Sequence, residues 1–411
     1  MVQQCVYSPV ITIVSTTKTL RHPYIIGFKT QANGAVSLWS FRGKELLPSH
    51  PLGDFSYTND RHVCLLADTT GRPGGLHDLV LFGNTGVHVA TRNSKENKFD
   101  NFNAKVFSLA DFAFNSGWRV DKHIRYMADV RKTGRADIIG FGDAGVVLSE
   151  NIKDGDTFSF TTPSVVLNDL GYDQGWRLNK HLRFLANFYG NGVPDIIGFG
   201  ETDVCLVKNN GNGTFENRHD LGLNQFTYSH GWRVDKHVRT LADVAGKKGL
   251  ADIVGFGDEG VYVAINNGDG TVKPAALALK EFGYNQNWRA EKHVRIIADL
   301  NGDGLGDIVG FGENGVYVSK NRGNMSFEKP RLVLRDIGYE QNWRVEKHSR
   351  FMIDVTGNGC ADIVGFGDRA VYVAFGDGEG GFGHTQRLTE AFCSQKGWDL
   401  SKTVRYIARL D

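Results

Sequence analysis

Proline is scarce in this chain, at 9 of 411 residues, and cysteine scarcer, at 5. Cys5, Cys64, Cys205, Cys360 and Cys393 are odd in number and fall at no paired spacing. That argues against a disulfide framework and for a reducing compartment. Net charge is nearly absent: 47 Lys and Arg stand against 46 Asp and Glu. With no basic field, neither nucleic acid nor an anionic membrane surface is an expected partner. No apolar run reaches the length of a bilayer span, so no membrane insertion is expected. The opening Met-Val-Gln-Gln lacks a basic region and a long apolar stretch behind it. The expectation is a protein that is cytoplasmic or released without a standard signal peptide. P-loop, HExxH and GxSxG motifs are missing as well.

Glycine, by contrast, is abundant at 51 residues, and 41% of the chain is hydrophobic, which describes a folded, turn-rich protein. One phrase recurs. A Trp, usually followed by Arg, precedes a Lys-His pair and then an Asp-Ile-Val/Ile-Gly-Phe-Gly segment, with copies at Trp118, Trp176, Trp232, Trp288, Trp343 and Trp398. Their spacings of 58, 56, 56, 55 and 55 residues mark an array of one supersecondary unit.

The unit from Trp288 reads as four strands. His293 to Asp299 is a β-branched run, Asp307 to Phe311 a second, Val316 to Ser319 a third, and Phe327 to Leu334 a less regular fourth. Gly- and Asn-rich turns separate them, as in hairpins. Four antiparallel strands per unit is the blade of a β-propeller; a helical solenoid of similar period is disfavoured by run length, β-branching and glycine punctuation. The second-strand element recurs at Asp78, Asp137, Asp195, Asp252, Asp307 and Asp362, with a worn copy at Tyr24 to Phe28. The expectation is therefore an all-β, seven-bladed propeller over residues 20–411. Thr403 to Arg409 is a first strand with nothing after it, and the segment from Tyr24 lacks a first strand. One blade built from both termini would close the ring and remove its open edges. Residues 1–19 fit no blade and form a tail that either enters the central channel or adds an edge strand.

Antiparallel order puts the Trp-Arg-x-Asp/Glu-Lys-His loop on the same face as the turn after the second strand. Complete copies pair Trp118, Arg119 and His123 with Asp143; Trp232, Arg233 and His237 with Asp258; Trp288, Arg289 and His293 with Glu313; and Trp343, Arg344 and His348 with Asp368. Trp176, Arg177 and His181 make the fifth. An aromatic ring, a guanidinium, an imidazole and a carboxylate suit a neutral polyol. They suit blade-to-blade packing equally, as repeated residues in arrays commonly do, and the Arg two after each His (Arg125, Arg183, Arg239, Arg295, Arg350) reads as structural too. A catalytic site is singular, whereas these residues recur around the array, so no enzyme is expected.

The opposite face carries the turns between first and second strands. Asp299, Asn301, Asp303 and Asp307, with the Leu305 carbonyl, place oxygen donors at alternate positions, a pattern suited to structural Ca²⁺. Asp354, Asn358 and Asp362 form a weaker candidate. The cognate turns carrying Arg131 and Lys132, or Lys247 and Lys248, and the one beginning at Asn187 read as plain turns. Asn209 to Thr214 and Asn266 to Thr271 read as ordinary hairpin turns.

The phrases Gly-Trp-Arg-Val-Asp-Lys-His, Ala-Asp-Ile-Val-Gly-Phe-Gly and Gly-Val-Tyr-Val-Ala, with Lys402-Thr-Val-Arg-Tyr406, resemble the Psathyrella velutina lectin family over nearly all of the chain beyond residue 50. The resemblance implies a seven-bladed mushroom lectin with integrin-like calcium turns (FG-GAP repeats). It implies binding of glycans bearing N-acetylglucosamine or sialic acid between neighbouring blades, without catalysis. Those pockets would fall beside the Trp-Arg-Lys-His loops. A calcium-binding propeller scaffold for protein partners is the alternative reading.

Overall fold

The structure, a computed structural model, describes residues 23–29, 35–40, 45–46, 50–51, 58–72, 77–93, 98–99, 109–154, 157–247, 249–400 and 403–409. The tail over residues 1–19 lies outside them.

The fold is a β-propeller of four-stranded antiparallel blades. Five sheets have the same plan, of which Val294–Ala298, Asp307–Phe311, Val316–Ser319 and Arg331–Leu334 are one example, paired in that order. Helix is confined to two single turns, Tyr284–Gln286 and Ser394–Lys396, among the described residues. The first three strands lie within a residue of their expected limits. The fourth is shorter than the sequence suggests, because Phe327 makes only an isolated bridge to Asn321.

Burial explains the sequence pattern strand by strand. The second strand is buried at every position, as in Asp307–Phe311, so it reads as an unbroken apolar run. The third strand alternates, with Val316 and Val318 inside and Tyr317 half-buried. The fourth is mostly half-exposed and carries the weakest signal.

The remaining sheets are less regular. Val63–Ala67, Asp78–Phe82 and Val87–Ala90 form a three-stranded sheet, extended by a bridge from Val87 to Leu109. The last strand, Thr403–Arg409, pairs antiparallel with Pro23–Lys29 at seven positions, and Pro23–Lys29 pairs in turn with Ala35–Ser40.

The apolar core lies between sheets. Each buried cluster draws on two neighbours, as where Val309 and Val318 of one sheet meet Ile363 and Ala374 of the next. The end sheet behaves alike: its Tyr24, Ile26 and Tyr406 pack on Leu66 and Leu81, and its Ile25 and Ile407 on Val364 and Val373.

Polar staples cross the same seams. The buried Asn151, Asn209, Asn266 and Asn321 donate from Nδ2 to Thr69, Val130, Phe188 and Val244 carbonyls of the preceding sheet, at 2.8–3.0 Å. Asn209 and Asn266, taken from sequence as ordinary turn residues, are therefore buried joints.

Candidate functional site

Each Trp loop closes on itself before it offers anything to solvent. The Trp118 amide donates to the Ala113 carbonyl and the His123 amide to the Arg119 carbonyl. Arg119 Nη1 caps the Phe114 carbonyl at 2.6 Å, and its guanidinium lies 4.0 Å from the centre of the Phe114 ring. Arg177, Arg233, Arg289 and Arg344 repeat this on Tyr172, Tyr228, Tyr284 and Tyr339. The sequence reading missed those aromatics, although they recur four residues before each Trp. The preceding loop sends a lysine to the same ring: Lys122, Lys180, Lys236 and Lys292 lie 4.1–4.7 Å from the centres of Tyr172, Tyr228, Tyr284 and Tyr339. Each tyrosine thus contacts cations from two successive loops.

The indoles are wedges. Trp118, Trp176, Trp232 and Trp343 are buried and Trp288 half-buried. Their rings rest on the glycine of the second strand: a Cβ on Gly255 would lie 2.6 Å from Trp232 Cη2 and from Phe226 Cε1. The glycine of the repeated Asp-Ile-Val-Gly-Phe-Gly phrase is there to seat the indole.

The histidines are locked as one tautomer. Arg119 N–H donates to His123 Nδ1 at 3.1 Å, so the proton sits on Nε2 and is directed to Asp143 Oδ1, also at 3.1 Å. His181, His237 and His293 repeat this with Glu201, Asp258 and Glu313, each 3.2 Å away, while His348 accepts the Arg344 amide in the same way and its Nε2 lies 3.2 Å from Asp368 without completing a hydrogen bond. Burial lowers the affinity of all five for a second proton, and drives His181 down to about 4. Lys122, Lys236 and Lys347 reach the same carboxylates. The structure therefore brings the expected Trp, Arg, His and acidic residues into one loop cluster per blade, adding Glu201, which the sequence reading left out.

Beside Trp118 the cluster opens into a cavity of about 240 Å³. That is below the range of roughly 300–1,000 Å³ usual for drug-sized ligands and fits a single sugar ring. Its polar lining is Asp111, Ser116, His123 and Asp143, and its apolar lining Trp118, Val147, Pro163 and Val165. Asp111 also accepts from Trp118 Nε1 at 3.1 Å. A larger recess of about 500 Å³, lined by Asn301, Lys320, Arg331 and Asp377 among others, lies among the Asp-rich turns and includes no Trp-loop residue.

In those turns Asp299 accepts from Gly302 and Gly304 amides, and buried Asp307 from Leu300 and Asn321 amides. Gly304 supplies the positive φ of 83° that the turn requires. Asn301 bridges to Asp303, and Asp303 accepts from the Leu305 amide. Asp354 mirrors Asp299, while Asn358 accepts from Cys360 and Asp362 from Val355 and Gly376. Among the described residues, no three His, Cys, Asp or Glu side chains converge as a metal-holding group.

Three cognate turns instead carry a protein cation at one place. Arg72 and Arg131 pair with Asp78 and Asp137 and donate to the Arg92 and Asn151 carbonyls. Lys247 reaches the cognate Asn266 carbonyl at 3.0 Å. Among the described residues, no hydrogen bond or ion pair brings a basic side chain to Asp307 or Asp362. Burial and the charges of Asp303 and Asp299 push Asp307 up to about 6, against the bonds from Asn321 and Leu300 amides.

A propeller with an amphipathic, sugar-sized cavity in a repeated loop cluster suits a carbohydrate-binding protein. Comparison with solved structures agrees. The chain is similar to an Agrocybe aegerita lectin that specifically recognises non-reducing terminal N-acetylglucosamine: identity is 42%, TM-score 0.87, over 96% of this chain and 97% of that one. The chain belongs to the mushroom β-propeller lectin family that its motifs resemble, the Psathyrella velutina lectin family. The Photorhabdus luminescens Tc holotoxin pore (16% identity, TM-score 0.48, 86% of this chain and 16% of that) and Bacillus licheniformis rhamnogalacturonan lyase (12%, 0.35, 89% and 71%) are too distant to bear on function. No protein-family model and no curated protein matches the chain. No helix among the described residues is long and apolar enough to cross a membrane.

Proposed function

We propose that this chain is a multivalent, non-catalytic lectin that binds terminal N-acetylglucosamine at the Trp loops. The carrying observation is the cavity beside Trp118, in a chain similar end to end to a lectin with that specificity. An apolar wall suits the C–H face and acetamido methyl of the sugar. Asp111 and Asp143 suit its hydroxyls, with His123 fixing the Asp143 carboxylate. Sialic acid, also implied by the resemblance, would bring a carboxylate to a cavity holding two, so the neutral sugar is favoured.

The lectin is best read as a closed ring of seven blades spanning residues 20–411, with the three-stranded sheet as a reduced blade and the two-ended sheet as the closing one. Supporting this, each core cluster joins two neighbouring sheets, and the two-ended sheet packs on neighbours at both of its faces.

We also infer a structural Ca²⁺ held by Asp299, Asn301, Asp303, the Leu305 carbonyl and Asp307, and a weaker one at Asp354, Asn358 and Asp362. Three cognate turns support this reading: there Arg72, Arg131 or Lys247 supplies positive charge, whereas the turn from Asn187 to Asp195 has neither the acidic set nor, among the described residues, a bonded cation. When bound, the ion would neutralise the crowded carboxylates of the turn.

Titration calorimetry tests the lectin reading. Several N-acetylglucosamine molecules should bind per chain, aryl N-acetylglucosaminides should not be hydrolysed, and Asp143→Ala should remove one site while leaving the fold intact. Folded protein that ignores N-acetylglucosamine at millimolar concentration, or that turns it over, would refute it.

A further inference from the structure

The blades are not equivalent at the position that shapes this cavity. On the third strand, opposite the glycine that seats the indole, stand Val147, Cys205, Tyr262, Tyr317 and Tyr372, paired with Gly140, Gly198, Gly255, Gly310 and Gly365. Tyr262, Tyr317 and Tyr372 lie edge-on to Trp232, Trp288 and Trp343, with ring centres 5.9–6.0 Å apart. Their rings cover the next glycine as well: a Cβ on Gly257 or Gly312 would lie 3.0 Å from the Tyr262 or Tyr317 ring. In the Trp118 blade that glycine is Gly142, and it lines the open cavity together with Trp118 and Val147. The cavity therefore extends into the room that a tyrosine ring takes in three other blades. Cys205 likewise brings no ring, but its blade differs in charge: Arg218 bridges Asp169 and Asp203. The vacated room is apolar, walled by Val147, Pro163 and the 46%-exposed Val165.

We propose that the Trp118 pocket is a distinct subsite, selective for an N-acetylglucosamine unit that carries an apolar or aromatic substituent, with the substituent seated where the tyrosine ring stands elsewhere. This rests on the lectin reading above. Asp111 and Asp143 hold the sugar, and Val147, Pro163 and Val165 take the substituent. A phenyl-sized group filling the vacated room would bind about tenfold tighter here than in a tyrosine-filled blade.

The experiment is calorimetry with p-nitrophenyl β-N-acetylglucosaminide beside its methyl glycoside, on the wild type, Val147→Tyr and Tyr317→Val. The wild type should show one site per chain about tenfold tighter for the aryl glycoside and no such site for the methyl glycoside. Val147→Tyr should lose that tight site and keep methyl-glycoside binding elsewhere. Tyr317→Val should gain a second tight site beside Trp288, an outcome that does not depend on Val147→Tyr folding. Methyl-glycoside binding with uniform aryl-glycoside sites, unchanged in both variants, would overturn the subsite and leave the lectin reading standing. Failure of both sugars to bind any variant would overturn the lectin reading itself.

Discussion

Replacing His181 with Gln should make folding less dependent on pH, by an amount the structure sets. His181 is buried, accepts the Arg177 amide at Nδ1 and faces Glu201 through Nε2. A second proton has to go to Nδ1, where it meets the Arg177 N–H. The folded protein therefore binds that proton only near pH 4, chiefly because the ring is desolvated, against 6.5 for a free imidazole. The sign follows from linkage: the pKa is depressed in the folded state, so the stabilisation is full above pH 6.5 and drains away as pH falls toward 4. At pH 5 the loss for this one ring is roughly 2 kcal/mol. The total slope of the wild type is not a clean reading, because the buried second-strand carboxylates Asp137, Asp195, Asp252, Asp307 and Asp362 shift upward and favour the folded state as pH falls. The difference between variant and wild type cancels them. Glutamine keeps a donor toward Glu201 but cannot titrate. Urea unfolding followed by tryptophan fluorescence at pH 7.5 and 5.0 should find His181→Gln destabilising at the higher pH, with the gap narrowed by roughly 2 kcal/mol at the lower. Parallel stability curves for the two proteins would show that His181 is not locked neutral.

Gly255→Ala should destabilise the fold by about 1–3 kcal/mol, since its methyl overlaps both Trp232 and Phe226; differential scanning calorimetry reads this, and an unchanged melting temperature would refute the seat. Calcium removal by EDTA should lower the melting temperature, and Asp303→Ala should remove most of that sensitivity. Bringing Asp307 from 3.8 to about 6 costs roughly 3 kcal/mol at neutral pH, which a bound cation would offset. Removing 403–411 should expose the long edge of Pro23–Lys29 and cause aggregation on size-exclusion chromatography, because seven register pairs are lost.

The blade plan was legible because each strand has its own burial pattern: continuous in Asp307–Phe311, alternating in Val316–Ser319. The loop cluster was legible as a cluster, since antiparallel order alone puts His123 beside Asp143. What the residues do there was not. A glycine inside an apolar strand does not announce that an indole lies on it. Asn151 and Asn266 look like turn residues because their partners, Thr69 and Phe188, are 82 and 78 residues away on another sheet. The tyrosines under the arginines did carry a signal, a fixed offset of four residues before each Trp, but one read for turns rather than rings.

Recognition and framework are divided among neighbouring atoms of the same loop. The repeated Trp, Arg and His hold the loop: each indole on its glycine, each guanidinium on a carbonyl and a ring, each imidazole between an amide and a carboxylate. Any change in them moves the loop, so loss of sugar binding in Arg289→Ala would not identify Arg289 as a sugar contact. Variation is concentrated instead at positions that touch the loop without closing it. Seven residues before the Trp, Asp111, Asp169 and Asp336 give way to Gln225 and Glu281, and opposite the seating glycine stand Val147, Cys205 and Tyr262. An array that keeps one set constant and varies the other can hold its geometry while each blade differs in what it admits. Differences in affinity among blades should therefore follow the residue opposite the glycine more closely than the Trp-Arg-His phrase itself.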